Sequence, residues 1–256
     1  MANLFLPPPA NTATYGTVAQ WVSATVTLFA VLVALFKDEF LRWRRRPRLI
    51  ASIRSGPPDC TKTLINYEVQ RVAHTFVTAE YFSIRLWIQN TGRSRATQVQ
   101  VFAESLWKRA PGGAFESVRG FLPMNVRWSH GAGPGGAPEV FADGISPGMG
   151  KHCDLGHIVV PTSRPDLNEA SPDTDPSETV FSLDLEVLPN TRSHVVPPGT
   201  YRLGLQIAGA NCTVTDWTVD FTLTGKWFAE ENRMFQEGIT IGIQPARKPL
   251  NGSQRA

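Results

Sequence analysis

Phe82-Ser-Ile-Arg-Leu-Trp-Ile-Gln-Asn-Thr-Gly92 alternates side chains of two kinds and then stops at a turn. Successive side chains of an extended strand point to opposite faces, so Phe82, Ile84, Leu86 and Ile88 share one face and Ser83, Arg85, Trp87 and Gln89 the other. Asn90-Thr-Gly92 supplies turn chemistry, and Val99 and Val101 open another alternating run. The same period returns three times downstream. Phe181, Leu183, Leu185 and Val187 alternate with Ser182, Asp184 and Glu186, and Pro197-Pro-Gly-Thr200 leads into Tyr201, Leu203, Leu205 and Ile207. Trp217, Val219, Phe221 and Leu223 alternate with Thr218, Asp220 and Thr222. Ile239, Ile241 and Ile243 predict a last strand, residues 49–54 and 63–80 predict opening strands, and 226–237 a short helix or a long turn.

One wet face and one dry face per run is the pattern of antiparallel sheets. A parallel α/β sheet needs runs apolar on both faces with amphipathic helices between them, and those helices are missing. About seven short strands with Gly/Pro turns predict a mainly β domain over residues 49–243, an antiparallel immunoglobulin-like β-sandwich with long loops. The Pro/Gly-rich 131–138 and the Pro/Asp/Ser-rich 161–176 are expected to be mobile loops, and 244–256 a disordered tail.

Upstream of the β region the chain changes character. The first charged side chain is Lys37, and residues 16–36 form a nearly continuous apolar run in which Gln20 is the strongly polar exception. Roughly 20 apolar residues in a helix cross about 30 Å of hydrocarbon with every backbone group satisfied internally. Residues 16–36 therefore predict a single transmembrane helix, with 1–15 as a short non-cytoplasmic tail and 37–48 as a basic juxtamembrane segment. Arg42, Arg44, Arg45, Arg46 and Arg48 lie just past the helix, and basic flanks stay cytoplasmic. The expected placement is the cell membrane, single-pass, with the N-terminus outside and the C-terminal domain in the cytoplasm. A cleaved signal peptide fits poorly, because it needs a positive n-region, a shorter apolar core and a small-x-small cleavage site.

Residues 37–54 carry net +5 and the rest of the chain net −2. The basic character is thus juxtamembrane, suited to orientation and to anionic headgroups, and the globular part lacks the broad basic excess that nucleic-acid binding requires. Along the helix, Gly16, Ala19, Ser23, Thr27, Ala30 and Ala34 form a small-residue face at 100° per residue. Such faces let two helices approach closely in lipid, which offers a route to homo-oligomers.

These features resemble a broad group of uncharacterised bacterial single-pass membrane proteins. The residues that carry the resemblance are Arg46-Pro-Arg-Leu49 after the basic stretch, Ile88-Gln-Asn-Thr-Gly92 with Ala96 and Val99, and Pro198-Gly-Thr-Tyr-Arg-Leu203. The resemblance implies an immunoglobulin-like β-domain behind a membrane anchor; the group carries no assigned reaction, so it implies no activity.

The chemistry-bearing residues are few. Cys60, Cys153 and Cys212 are odd in number and widely spaced, which suggests no disulfide framework and suits a reducing compartment. His152-Cys-Asp-Leu-Gly-His157 is the densest ligand cluster, and His152, Cys153 and His157 are its candidate metal ligands, without the second pair that a zinc site wants. The same residues suggest a cysteine nucleophile at Cys153 with His152 or His157 as base and Asp154 or Asp143 as orienting group. The expected arrangement is one core cysteine with surface histidines on a strand edge. Neither a phosphate-binding loop nor a dinucleotide fingerprint is present, and no cofactor is expected. Trp87, Trp107, Trp128 and Trp227 are expected to pack in the core or on a strand face. The sequons Asn211-Cys-Thr213 and Asn251-Gly-Ser253 matter only in a secretory lumen.

The sequence thus points to a non-enzymatic interaction or scaffold module, tethered to the lipid bilayer and recognising a protein partner near it through loops or a sheet edge. Its rivals are an extracytoplasmic ligand- or envelope-binding domain, and a metal-dependent or cysteine hydrolase centred on Cys153.

Overall fold

The computed structural model describes residues 18–68, 76–129, 140–167, 169 and 174–246. It divides into two compact units, Met1–Arg45 and Arg46–Ala256. The expected N-terminal tail, Gly16, the 131–138 loop and the second sequon lie outside the described residues.

The described residues of the first unit form one helix, α1 (Val18–Arg44), of 27 residues. At 1.5 Å per residue it is about 40 Å long, more than the hydrocarbon core of a bilayer. Its segment Val18–Lys37 is long and apolar enough to cross a membrane, a test that an N-terminal signal sequence also passes. Two threonine hydroxyls within it are satisfied locally. Thr25 Oγ1 donates to the Trp21 carbonyl and Thr27 Oγ1 to the Ser23 carbonyl, each at 2.8 Å, so neither needs water. The helix does not stop at residue 36, because Lys37 to Arg44 carries no helix breaker.

The second unit is mainly β and antiparallel. Its strands are β1 (Leu49–Ser52), β2 (Cys60–Glu68), β3 (Phe76–Asn90), β4 (Ala96–Arg109), β5 (Phe115–Ser117), β6 (Met124–Asn125) and β7 (Arg127–Trp128). They continue as β8 (Ala142–Ile145), β9 (Gly150–Val159), β10 (Phe181–Leu183), β11 (Val195–Val196), β12 (Gly199–Ala208), β13 (Thr215–Leu223) and β14 (Ile239–Pro245). One sheet runs β1-β3-β9-β10-β11, with β2 beside β3 and β7 beside β9; the other runs β14-β13-β12-β4-β5, with β6 and β8 beside β4. Neither sheet closes into a barrel.

The alternation in the sequence decides what the sheets bury. Phe82, Ile84, Leu86 and Ile88 of β3 join Val99 and Val101 of β4, Leu203, Leu205 and Ile207 of β12, and Val219 and Phe221 of β13 in one hydrophobic cluster. Phe221 holds it together across the sheets, its ring 5.1 Å from Phe181 and 5.3 Å from Tyr201. The chain passes from one sheet to the other at Asn90-Thr-Gly92, between β3 and β4.

Several expectations are corrected. The run from Phe181 to Val187 is a strand only to Leu183; Leu185 makes an isolated bridge to Val126, and Val187 and Leu188 are exposed. Nor does β10 have a wet face, since Ser182 is buried with Phe181 and Leu183. The reason is the segment after residue 160, which folds over the outer face of the first sheet and, with Tyr81, packs Leu167 on the cluster of Ala79 and Val159. In its described parts this Pro/Asp/Ser-rich stretch is a packed cover and no loose loop: buried Arg164 donates from Nη1 to the carbonyls of Glu178 at 2.6 Å and Asp175 at 3.2 Å. Residues 244–246, expected in the disordered tail, are ordered: β14 pairs with β13 through Pro245, and the Ala246 N–H donates to the Asp216 carbonyl at 2.9 Å. Residues 247–256 lie outside the described residues. The 226–237 region resolves into one helical turn, Glu231–Arg233, and a wider π-type turn, Met234–Gly238.

Candidate functional site

The chemistry-bearing side chains gather on the outer face of the first sheet, along β9. This strand is no edge: it lies between β3 and β10. Ile84 faces Gly156 and Arg85 faces Asp154, so Leu155 is an extra residue, a β-bulge. The bulge resets the alternation. His152 and Asp154 point outward before it and His157 after it, while Cys153, Leu155 and Ile158 enter the core. Two histidines five positions apart would lie on opposite faces of a regular strand; the bulge puts them on one.

At one end, His152 Nε2 lies 3.0 Å from Asp59 Oδ1, and its ring packs against Trp87 at 4.7 Å. Asp59 is fully buried and its other oxygen accepts the Arg54 backbone N–H at 2.9 Å. In the middle, Asp154 Oδ1 accepts from Arg85 Nε at 3.1 Å and from the Ser129 hydroxyl at 2.5 Å.

At the other end His157 is clamped between two carboxylates. Nδ1 lies 2.8 Å from Asp184 Oδ1 and Nε2 2.6 Å from Glu169 Oε1, and the ring stacks on Tyr81 at 4.7 Å. Burial alone would push the imidazole towards neutrality, but the charges and hydrogen bonds of Asp184 and Glu169 win, raising its pKa from 6.5 to about 10. His157 is therefore an imidazolium that donates from both nitrogens. It has no lone pair with which to act as a base.

Next to it opens a cleft of about 530 Å³ bordered by Arg127, Leu167, Ser182, Leu188, Arg192 and His194, with Glu169 and Asp184 beside His157. This volume is in the range of small-molecule sites. Glu169, Ser182 and His194 are buried, and among the described residues Glu169 Oε2, Ser182 Oγ and His194 Nδ1 have no hydrogen-bond partner.

The structure does not bring the proposed catalytic residues together. Cys153 faces the core, away from both histidines, and burial with Asp154, Asp184 and Glu186 nearby pushes its thiol well above the usual range. Asp143 sits in β8 of the other sheet. Among the described residues no group of three or more His, Cys, Asp or Glu side chains is placed to hold a metal ion. Asn211 of the first sequon is engaged in the fold: its amide donates to the Arg95 carbonyl at 2.8 Å and accepts the Thr97 N–H at 3.0 Å. Of the tryptophans, Trp128 is buried, Trp227 packs against Phe82 and Trp107 is partly exposed.

Sequence reasoning reached His152, Cys153 and His157 but missed their partners. Asp184 is visible only as a polar position in an alternating run. Glu169 lies in a stretch whose composition reads as a loop, and nothing local announces the bulge that turns His157 outward. Compared with protein-family models, curated proteins and solved structures, the chain has no match.

Proposed function

We propose that this chain is a membrane-anchored, non-enzymatic interaction module. The helix crosses the bilayer once with its N-terminus outside, and an immunoglobulin-like sandwich faces the cytosol, where it meets a protein partner near the membrane. The observation that carries the reading is the apolar helix Val18–Lys37 followed at once by Arg42, Arg44, Arg45, Arg46 and Arg48. Basic residues at a membrane end are held on the cytoplasmic side. A binding role for the domain is supported by its chemistry: the buried thiol faces away from both histidines, and the His157 imidazolium is already committed to two carboxylates. Confinement to the bilayer raises the effective concentration of the domain for membrane partners, so modest contacts suffice. The face made by Gly16, Ala19, Ser23, Thr27, Ala30 and Ala34 would then serve association of the anchor with a second helix.

Sidedness tests this. A C-terminal tag on the full chain in intact cells should resist added protease until the membrane is breached. Digestion from outside would overturn the cytosolic placement and favour an extracytoplasmic ligand- or envelope-binding domain.

A further inference from the structure

We propose that the cleft beside His157 binds a free α-amino acid, its ammonium on the buried floor and its carboxylate at the rim. This goes beyond the membrane-module reading and does not depend on which side of the membrane the domain faces.

The floor makes a chemical demand. Glu169, Ser182 and His194 are 7%, 2% and 7% exposed, and each carries a polar atom without a partner among the described residues: Glu169 Oε2, Ser182 Oγ and His194 Nδ1. A buried polar group left unsatisfied costs about 1–3 kcal/mol, so three around one cleft point to a ligand that satisfies them. All three atoms can accept. Burial disfavours protonation of His194, which leaves its ring neutral with one nitrogen as an acceptor. A primary ammonium has three N–H donors and no acceptor, and so complements three acceptors.

The charges around the floor are closely matched. The two carboxylates of Asp184 and Glu169 are offset by a single imidazolium, and that imidazolium takes one oxygen of each. Buried Arg164 also lies in the field of Glu169, so the floor is close to charge-balanced; what it offers an incoming cation is Glu169 Oε2, without a hydrogen-bond partner among the described residues. The rim is basic, because the exposed Arg127 and Arg192 border the same cleft. Guanidinium groups suit carboxylates. A floor of acceptors below a basic rim fits a zwitterion better than a metal ion, which would find both nitrogens of His157 taken, and better than an inorganic anion, which brings no donors to the floor. Leu167, Leu185, Leu188 and Pro189 give the cleft apolar wall for a side chain.

The test is calorimetric titration of the full chain in detergent with each of the twenty α-amino acids. For the tightest binder, the N-acetyl form, without the ammonium, and the amide form, without the carboxylate, follow. Saturable binding is expected for at least one amino acid, with affinity falling about a hundredfold for the N-acetyl form and about tenfold for the amide. Glu169→Gln should weaken binding about tenfold or more, and Arg127→Gln should erase the preference for the acid over the amide. Ser182→Ala, a small change, guards against loss of fold and should still weaken binding. Absence of saturable binding by all twenty at about 10 mM would overturn the proposal. So would equal binding of the N-acetyl form, or unchanged affinity in Glu169→Gln with a cooperative unfolding transition retained. None of these outcomes bears on sidedness, so failure here leaves the membrane reading standing.

Discussion

The side-chain oxygen of Asn90 accepts the backbone N–H of Arg48 at 3.2 Å, joining the first residues of the β-domain to the turn between the two sheets. The same oxygen accepts the Gly92 N–H at 2.9 Å, and the amide nitrogen donates to the carbonyls of Ser94 at 2.7 Å and Ile145 at 2.9 Å. The Thr91 N–H returns to the Arg48 carbonyl at 2.8 Å. Asn90 is fully buried with all four hydrogen-bonding positions used. Asn90→Asp turns two donors into acceptors facing carbonyls, and Asn90→Ala leaves every partner unsatisfied. Each should destabilise the domain by about 2–4 kcal/mol, read as a lower denaturant midpoint at constant m-value.

Gly92 answers to the same junction. A Cβ there would stand 2.5 Å from the Arg48 nitrogen and from the Pro47 Cα, both backbone atoms that cannot step aside. Gly92→Ala should therefore cost about 1–3 kcal/mol by thermal unfolding, with Gly112→Ala, where a Cβ meets nothing within 4 Å, as the near-neutral control.

What was legible in the sequence follows from what each element needs. The inner faces of β3, β12 and β13 could be read from Phe82, Leu203 and Phe221 because alternation is local and one side of each strand is wet. Asn90-Thr-Gly92 and Arg46-Pro-Arg-Leu49 stood out as separate signatures, yet their contact across some forty residues is tertiary and no local pattern announces it, and Ser83, polar on the outer face of β3, is buried for the same reason of tertiary cover. His157 was visible, but its outward direction depends on the extra Leu155, and its partners come from β10's continuation at Asp184 and from the cover at Glu169. Polar Ser182 read as solvent-facing, because the segment that buries it has the composition of a loop.

His157 makes stability depend on pH. Its folded pKa, about 10, lies above the 6.5 of an unperturbed histidine. The contribution is therefore fully present below about pH 6.5 and fades as pH rises through 10; it corresponds to something on the order of 4 kcal/mol. Asp184, Glu169, Tyr81 and His194 all face or neighbour the ring. His157→Gln should lose about 3–5 kcal/mol at neutral pH by leaving two carboxylates unneutralised, and its stability curve should be flatter between pH 7 and 10. Urea unfolding at stepped pH checks both.

Glu186 runs the other way. It is buried, neither carboxylate oxygen has a partner among the described residues, and burial pushes its pKa up from 4.5 against the pull of Arg127. A carboxyl whose folded pKa is raised is harmless below pH 4.5 and penalises the fold as pH rises through the folded value. Glu186→Gln should stabilise the domain at neutral pH by about 1 kcal/mol and lose that advantage in acid.

The thiols report burial directly. Cys60 and Cys153 are fully buried, and burial, with Asp59 nearby, pushes Cys60 up to about 12; Cys212 is only half-buried. Thiolate is the reactive form, so maleimide should label Cys212 in the folded chain and reach the other two only on unfolding. Peptide mapping by mass spectrometry checks this, and native-state labelling of Cys153 would contradict its placement in the core.

The anchor offers the last test. Ser23 and Thr27 belong both to the small-residue face and to a shallow groove bordered by Gln20, Ala24, Leu28 and Val31 on α1. Thr27 bonds its own helix at the Ser23 carbonyl, which leaves the groove floor without a demand for water and suits close approach of a second backbone. Ser23→Leu in the groove with Ala30→Leu beside it puts two large side chains on the small-residue face while keeping the segment apolar, so insertion is preserved. Association in a membrane-helix dimerisation assay should fall about fivefold or more, equivalent to about 1 kcal/mol. Leu32→Ile, on the opposite side at 100° per residue, should leave it unchanged. Equal association in all three chains would remove this face as a contact and leave the helix as an anchor alone.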